Sequence, residues 1–162
     1  ALINSKVLQF YWANKFGDKR KQFPKIKGTY LQLLPIKGIG YESIISLLVS
    51  YVLTSIKYEN GYSTFFQNII DGMVYEIYFT KSINATNTGI IDLIKKLVID
   101  INEIKDIQDK LHAIEMVFTK LNESNNEVRN RIIKQNIAVE EAKLINQSLS
   151  KYANSTDTPE EL

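Results

Sequence analysis

Ser63-Thr64-Phe65-Phe66-Gln67-Asn68-Ile69-Ile70-Asp71-Gly72-Met73-Val74-Tyr75-Glu76-Ile77-Tyr78-Phe79 is the stretch that decides the fold. Phe66, Ile69, Ile70, Met73, Val74, Ile77 and Tyr78 recur at intervals of three and four, the period of a helix with one apolar face. Ser63 stands where an N-cap belongs. The spacing predicts a core helix that Ser63 caps and whose apolar stripe runs from Phe66 to Tyr78. Asp71 and Glu76 flank its apolar stripe, where a carboxylate caps, pairs or faces solvent.

Helical signals continue on both sides. Upstream, Gly38 and Gly40 break the chain before a segment, 42–57, whose Ile44, Ile45, Leu47, Leu48, Val49, Val52 and Leu53 predict a helix buried on most sides. The turn Asn60-Gly61 ends it. Downstream, 84–89 is a polar connector, after which Ile90, Ile94, Leu97, Val98 and Ile101 resume the pattern. Ile107, Leu111, Ile114, Phe118 and Leu121 carry a further helix. The Asn-rich connector 122–126 precedes a short helix over 127–134. Val139, Ala142, Ile145 and Leu149 mark a last one over 139–152. The tail 153–162 is polar and acidic, contains Pro159, and is predicted to be disordered.

At the N-terminal end, Asn4 or Ser5 can cap a helix bearing Val7, Leu8, Tyr11, Trp12 and Phe16, with Gly17 at the position of a left-handed stop. The apolar patch from Tyr30 to Ile36 accommodates a helical turn, a short strand, or both. The fold class is therefore mainly α, a bundle-like helical region behind a short irregular or β-containing N-terminal part. Residues 1–40, 41–152 and 153–162 form the expected divisions.

Between the first helix and the apolar patch lies Lys19-Arg20-Lys21-Gln22-Phe23-Pro24-Lys25-Ile26-Lys27. Through Gly40 the chain holds eight Lys or Arg against the single acid Asp18, whereas the remaining 122 residues hold twelve bases against seventeen acids. The formal net charge of +2 thus hides a strongly basic end on an acidic body. Such a split suits a polyanion-facing edge, and it also suits a solvated loop. Pro24 and Gly28 place the charges on a loop. Lys19, Arg20, Lys21, Lys25 and Lys27 can neutralise phosphates, Arg20 and Gln22 can present paired donors to base edges, and Tyr30 offers a ring and a hydroxyl. Lys6 and Lys15 either extend that surface or are simply solvated. Arg129, Arg131 and Lys134 form a smaller cluster read as structural, because Glu127 can pair with Arg131 at helical spacing.

Catalytic constellations are missing from the sequence. With no cysteine, a disulfide, a thiol nucleophile and a zinc–cysteine site are excluded, and a reducing cytoplasm is the expected compartment. The one histidine, His112, lies off its helix's apolar stripe and cannot build a multi-histidine metal site. Gly38-Ile39-Gly40 lacks the remainder of a phosphate-binding loop. Asp100 with Glu103, and Glu140 with Glu141, read as solvated faces. No catalytic, cofactor-binding or metal-binding residue is assigned. The longest apolar run, 44–56, is shorter than the roughly 20 residues that span a bilayer, so no membrane partner is expected. The chain shows no signal peptide and starts without Met, close to a helix, which predicts a fragment of a larger protein.

The order Asn4-Ser5-Lys6, an aromatic-rich helix, Phe23-Pro24-Lys25-Ile26-Lys27 and Leu31-Gln32-Leu33-Leu34-Pro35-Ile36 resembles the closing part of the TaqI-like target recognition (specificity) domain of DNA methyltransferases. There an NSK helix, an FP.IK loop and an L..LPI segment follow one another. The stretch from Phe65 to Phe79 is similar to the iD.mVYELYF helix that follows this domain in type IIG restriction-modification enzymes. Asn125-Asn126-Glu127-Val128-Arg129 stands where relatives show a His-Pro-Ile-Arg-like sequence; the His-Pro is absent and only Arg129 matches. The resemblance implies a parent that methylates adenine in double-stranded DNA with S-adenosylmethionine and, in many relatives, also cleaves DNA with a divalent metal. The motifs of those activities are absent from this sequence. The resemblance therefore implies a non-enzymatic piece, with the parent's upstream methyltransferase domain and double-stranded DNA as partners. An alternative is a helical interaction module that docks on the parent's catalytic domain or on another subunit.

Overall fold

The computed structural model describes residues 2–16, 28–38 and 40–156. Among these the chain is mainly helical and contains no strand. After a 3-10 turn at Leu2–Asn4 come α1 (Lys6–Lys15), α2 (Gly28–Leu31), α3 (Glu42–Lys57), α4 (Ser63–Tyr78), α5 (Thr80–Thr86), α6 (Ile91–Ile94), α7 (Ile107–Asn122), α8 (Glu127–Ala138) and α9 (Glu140–Thr156). The apolar patch that left helix and strand open resolves into the single turn α2, followed by irregular chain.

Helix α4 is the centre. Phe66, Met73 and Val74 have no exposed surface, and even Asp71 and Gly72 are buried. It packs along α3, with Phe66 edge-on to Tyr51 at 5.0 Å. Phe65 and Tyr62 meet Phe118 of α7 at 4.9 and 4.2 Å. Helices α1 and α8 also lie against α4. A Cβ on Gly72 would stand 3.0 Å from both the Gln135 Oε1 of α8 and the Ile90 side chain. Only a residue without a side chain lets the helices approach that closely. Gln135 is fully buried, and its Nε2 donates to the Thr88 carbonyl at 2.8 Å. That bond joins α8 to the loop after α5.

Helix α8 runs four residues past its expected end, to Ala138, and four other local expectations change. Ser63 makes no side-chain cap bond; the helix is entered through Tyr62, whose N–H donates to Asn60 Oδ1 at 3.1 Å. Helix α5 occupies part of the expected connector and ends at Asn87, whose φ of 50° is left-handed. The pattern resuming at Ile90 yields only the short α6, because Ile99 is taken elsewhere. The buried Tyr51 hydroxyl donates to the Ile99 carbonyl at 2.7 Å and accepts from its N–H at 3.0 Å, leaving neither group for a helix. Helix α9 runs on to Thr156, four residues into the expected tail, and 157–162 lie outside the described residues.

The burial on most sides expected for 42–57 is only partly met. Ile44, Ile45, Leu48, Tyr51 and Val52 face the core, but Leu53 and Ile56 are 60 % and 55 % exposed.

Candidate nucleic-acid interface

Helix α1 delivers the chain to the basic segment, and two devices fix it in place. The first is a cap contributed by another helix. Ser5 is the N-cap residue but its hydroxyl donates back to the Leu2 carbonyl at 2.6 Å, so it leaves the first amides of α1 unsatisfied. Asp71 of α4 takes the role instead, accepting from the Lys6 N–H at 2.9 Å. Its second oxygen lies 3.7 Å from the Lys6 ammonium, which also donates to Asn68 Oδ1 at 3.4 Å. Burial pushes the Asp71 carboxyl above its ordinary range, and the bond and charge of Lys6 pull against that rise.

The second device is aromatic. At the far end of α1, Tyr11 and Trp12 meet Phe16 at 6.0 and 5.2 Å. Tyr30 of α2 stacks on Phe16 at 4.8 Å with the rings within 9° of parallel, and meets Trp12 edge-on at 6.2 Å. The residues that bracket the basic segment are thereby held side by side. Beyond α2, the Tyr78 hydroxyl donates to the Pro35 carbonyl at 2.7 Å, and the Lys37 ammonium donates to the Ile77 carbonyl at 3.1 Å. A cation at the C-terminal end of α4 is favourably placed.

Of the candidate DNA-contacting residues, Lys19, Arg20, Lys21, Gln22, Lys25 and Lys27 lie outside the described residues. Tyr30 is described, half-buried, with one ring face on Phe16. Among the flanking lysines, Lys6 is engaged with Asp71 and Asn68 while Lys15 is exposed. In the second basic cluster, Arg131 pairs with Glu127 and donates to the Gly89 carbonyl, joining α8 to the start of α6. This is the Glu127 pairing that the spacing predicts. Arg129 is half-buried beside Phe65, Asn68 and Ile132, and Lys134 is exposed.

The carboxylates divide in the same manner. Glu76 Oε2 accepts from the N–H groups of Ile90 and Ile91 at 2.6 and 3.0 Å, capping α6. Gly89 makes room for it, since a Cβ there would meet Glu76 Oε1 at 3.0 Å. Both acids that flank the apolar stripe of α4 are thus caps for other helices. Asp100, Glu103, Glu140 and His112 are exposed, and Glu141 accepts from the Ser82 hydroxyl at 2.7 Å. The capping by Asp71 and the Phe16–Tyr30 stack escape a reading by spacing because each joins residues distant in sequence. Aromatic residues on both borders of one basic run are the available signal for the stack. No family model, no curated protein and no solved structure matches this chain.

Proposed function

We propose that the chain is a non-catalytic DNA-specificity piece of a type IIG-like restriction-modification adenine methyltransferase, binding double-stranded DNA through its basic N-terminal segment. The observation that carries this reading is the charge split: eight bases against one acid through Gly40, on a body with an excess of acid. The placement of Phe16 and Tyr30 supports it, since a stacked pair at the borders of the segment limits the entropy lost when its cations meet phosphates. On this reading Lys19, Arg20, Lys21, Lys25 and Lys27 neutralise phosphates, and Arg20, Gln22 and Tyr30 reach bases or a groove. Residues 1–40 would close a target recognition region, with 41–152 as its helical support in the cytoplasm. The upstream methyltransferase domain of the parent would hold S-adenosylmethionine, and a divalent metal where the parent also cleaves.

Fluorescence titration of a labelled duplex at several salt concentrations tests it. Five phosphate contacts give a log–log salt slope of roughly −4 to −5. Replacing Lys19, Arg20, Lys21, Lys25 and Lys27 together by Ala should abolish most of the affinity and flatten that slope. Equal affinity and slope in the substituted chain would overturn the proposal. Salt-insensitive binding to a protein, without duplex binding, would favour the interaction module instead.

A further inference from the structure

Helix α3 is apolar around most of its circumference, a composition that belongs to a helix covered on every side. Among the described residues the fold buries Ile44, Ile45, Leu48, Tyr51 and Val52, packs Leu47 and Val49 against them, and leaves the outer part of the helix open. Ser46, Val49, Leu53 and Ile56 are spaced by three, four and three residues, the pattern of a helix–helix seam, and run along the border of the buried side, where Val49 still packs against the core. Leu53 and Ile56 are more than half exposed and Val49 is partly so. On one flank Ile3 and Ile36, themselves about half exposed, border an open groove shared with Val49 and widen the apolar surface. Single exposed aliphatic residues need no explanation, but a seam-spaced row on one helix does.

The distribution of charge and size on this row identifies the occupant. Glu42 stands at its start and Lys57 at its end, about 22 Å apart on a straight helix. A copy of the same helix laid antiparallel, turned about the midpoint between Val49 and Ser50, sets each Glu42 against a Lys57. It sets the small Ser46 under the large Leu53, and brings Val49 beside Val49 of the second copy. The row is self-complementary, which is the condition for an isologous two-fold interface. Each charge has a local contact within its own chain: Glu42 accepts from the Gly40 N–H at 3.3 Å, and the Lys57 ammonium lies 5.2 Å from the Tyr58 ring centre. At the rim of an interface such charges set orientation more than affinity.

We infer that the protein self-associates through α3 as an antiparallel two-fold pair seamed by Ser46, Val49, Leu53 and Ile56. The inference does not depend on the DNA reading, and the surface lies apart from the basic segment in sequence.

Sedimentation equilibrium of the 162-residue chain over a range of concentrations tests it. A monomer–dimer equilibrium is expected. Leu53→Glu should weaken it on the order of 100-fold or more, because each dimer would bury two unpaired carboxylates. Circular dichroism should show the helices retained, since position 53 faces solvent in the monomer. The orientation is read from a charge exchange: Glu42→Lys and Lys57→Glu should each weaken the dimer several-fold, and the two together should restore it. A monomer at the highest soluble concentration would overturn the inference. So would a dimer indifferent to Leu53→Glu, or one in which the double exchange is no tighter than either single one. A native chain that dimerises but does not bind a duplex would overturn the DNA reading and leave this one standing.

Discussion

Helices α3 and α4 are both 16 residues long, both rich in isoleucine, and packed along each other, yet they solve the problem of burial differently. Helix α4 has neighbours on nearly all sides, and its two carboxylates reach out to cap α1 and α6. The same helix therefore supplies apolar contact and the polar termination of its neighbours. Among the described residues, helix α3 gives one side to the core and leaves the aliphatic Leu53 and Ile56 more than half exposed. Apolar content alone thus does not say how much of a helix a fold encloses. What separates the two is whether neighbouring helices are pinned against the second side by hydrogen bonds, as Asp71, Glu76 and the close approach at Gly72 pin them around α4.

Truncation of a large side chain on each helix gives the largest expected contrast. Phe66→Ala should cost about 3–5 kcal/mol, through lost transfer energy and an unfilled cavity beside Tyr51 and Phe65. Leu53→Ala should change the stability of the monomer by less than about 0.5 kcal/mol. Urea unfolding of both variants at a concentration below the onset of association measures the pair. Similar losses would mean that α3 is enclosed as fully as α4.

The next effect probes the pinning itself. Glu76→Ala removes the acceptor for two amides at the start of α6, and each stranded N–H costs about 1–3 kcal/mol where water does not replace the partner. A loss of about 2 kcal/mol is expected, with faster amide exchange at Ile90 and Ile91. Unchanged exchange at those two amides would show that α6 needs no cap from α4.

How much of this was legible in the sequence follows from the range of each interaction. The 3.6-residue period locates α3, α4 and α7 because their burial repeats along the chain itself. The same period over-extends α6, since the chain around Ile99 obeys a hydroxyl 48 residues away. Ser63 has the composition of a cap and no cap bond, whereas Asn126 makes one, accepting from Val128 N–H at 2.9 Å. Capping, pairing and solvation are equally open to Asp71 and Glu76 on spacing alone, and only the fold selects capping and names the partners. The exposure of Leu53 is illegible for the same reason: a helix apolar around most of its circumference carries no mark of which part of that arc will stay bare. Of the candidate DNA contacts, the structure describes the surroundings of Tyr30, at the border of the basic run.

The smallest effect concerns the cap of α1, where opposing influences meet on one carboxyl. Burial disfavours the charged form of Asp71 while the N–H and ammonium of Lys6 favour it, and burial dominates, so the folded-state pKa lies above the ordinary value of 3.8. The folded chain therefore holds this proton more tightly than the unfolded chain does. The stability this group contributes is full below 3.8, declines as the pH rises through the folded-state pKa, and is level above it. Asp71→Asn retains an oxygen for the Lys6 N–H and cannot titrate. The stability of the native chain relative to this variant should therefore fall as the pH rises from below 3.8 toward neutrality, a trend opposite to ordinary acid denaturation. Urea midpoints of both proteins across that range read the difference directly, free of the carboxylates they share. A difference that grew with pH would mean that Lys6 outweighs burial, and that α4 holds α1 by an ion pair rather than by a buried cap.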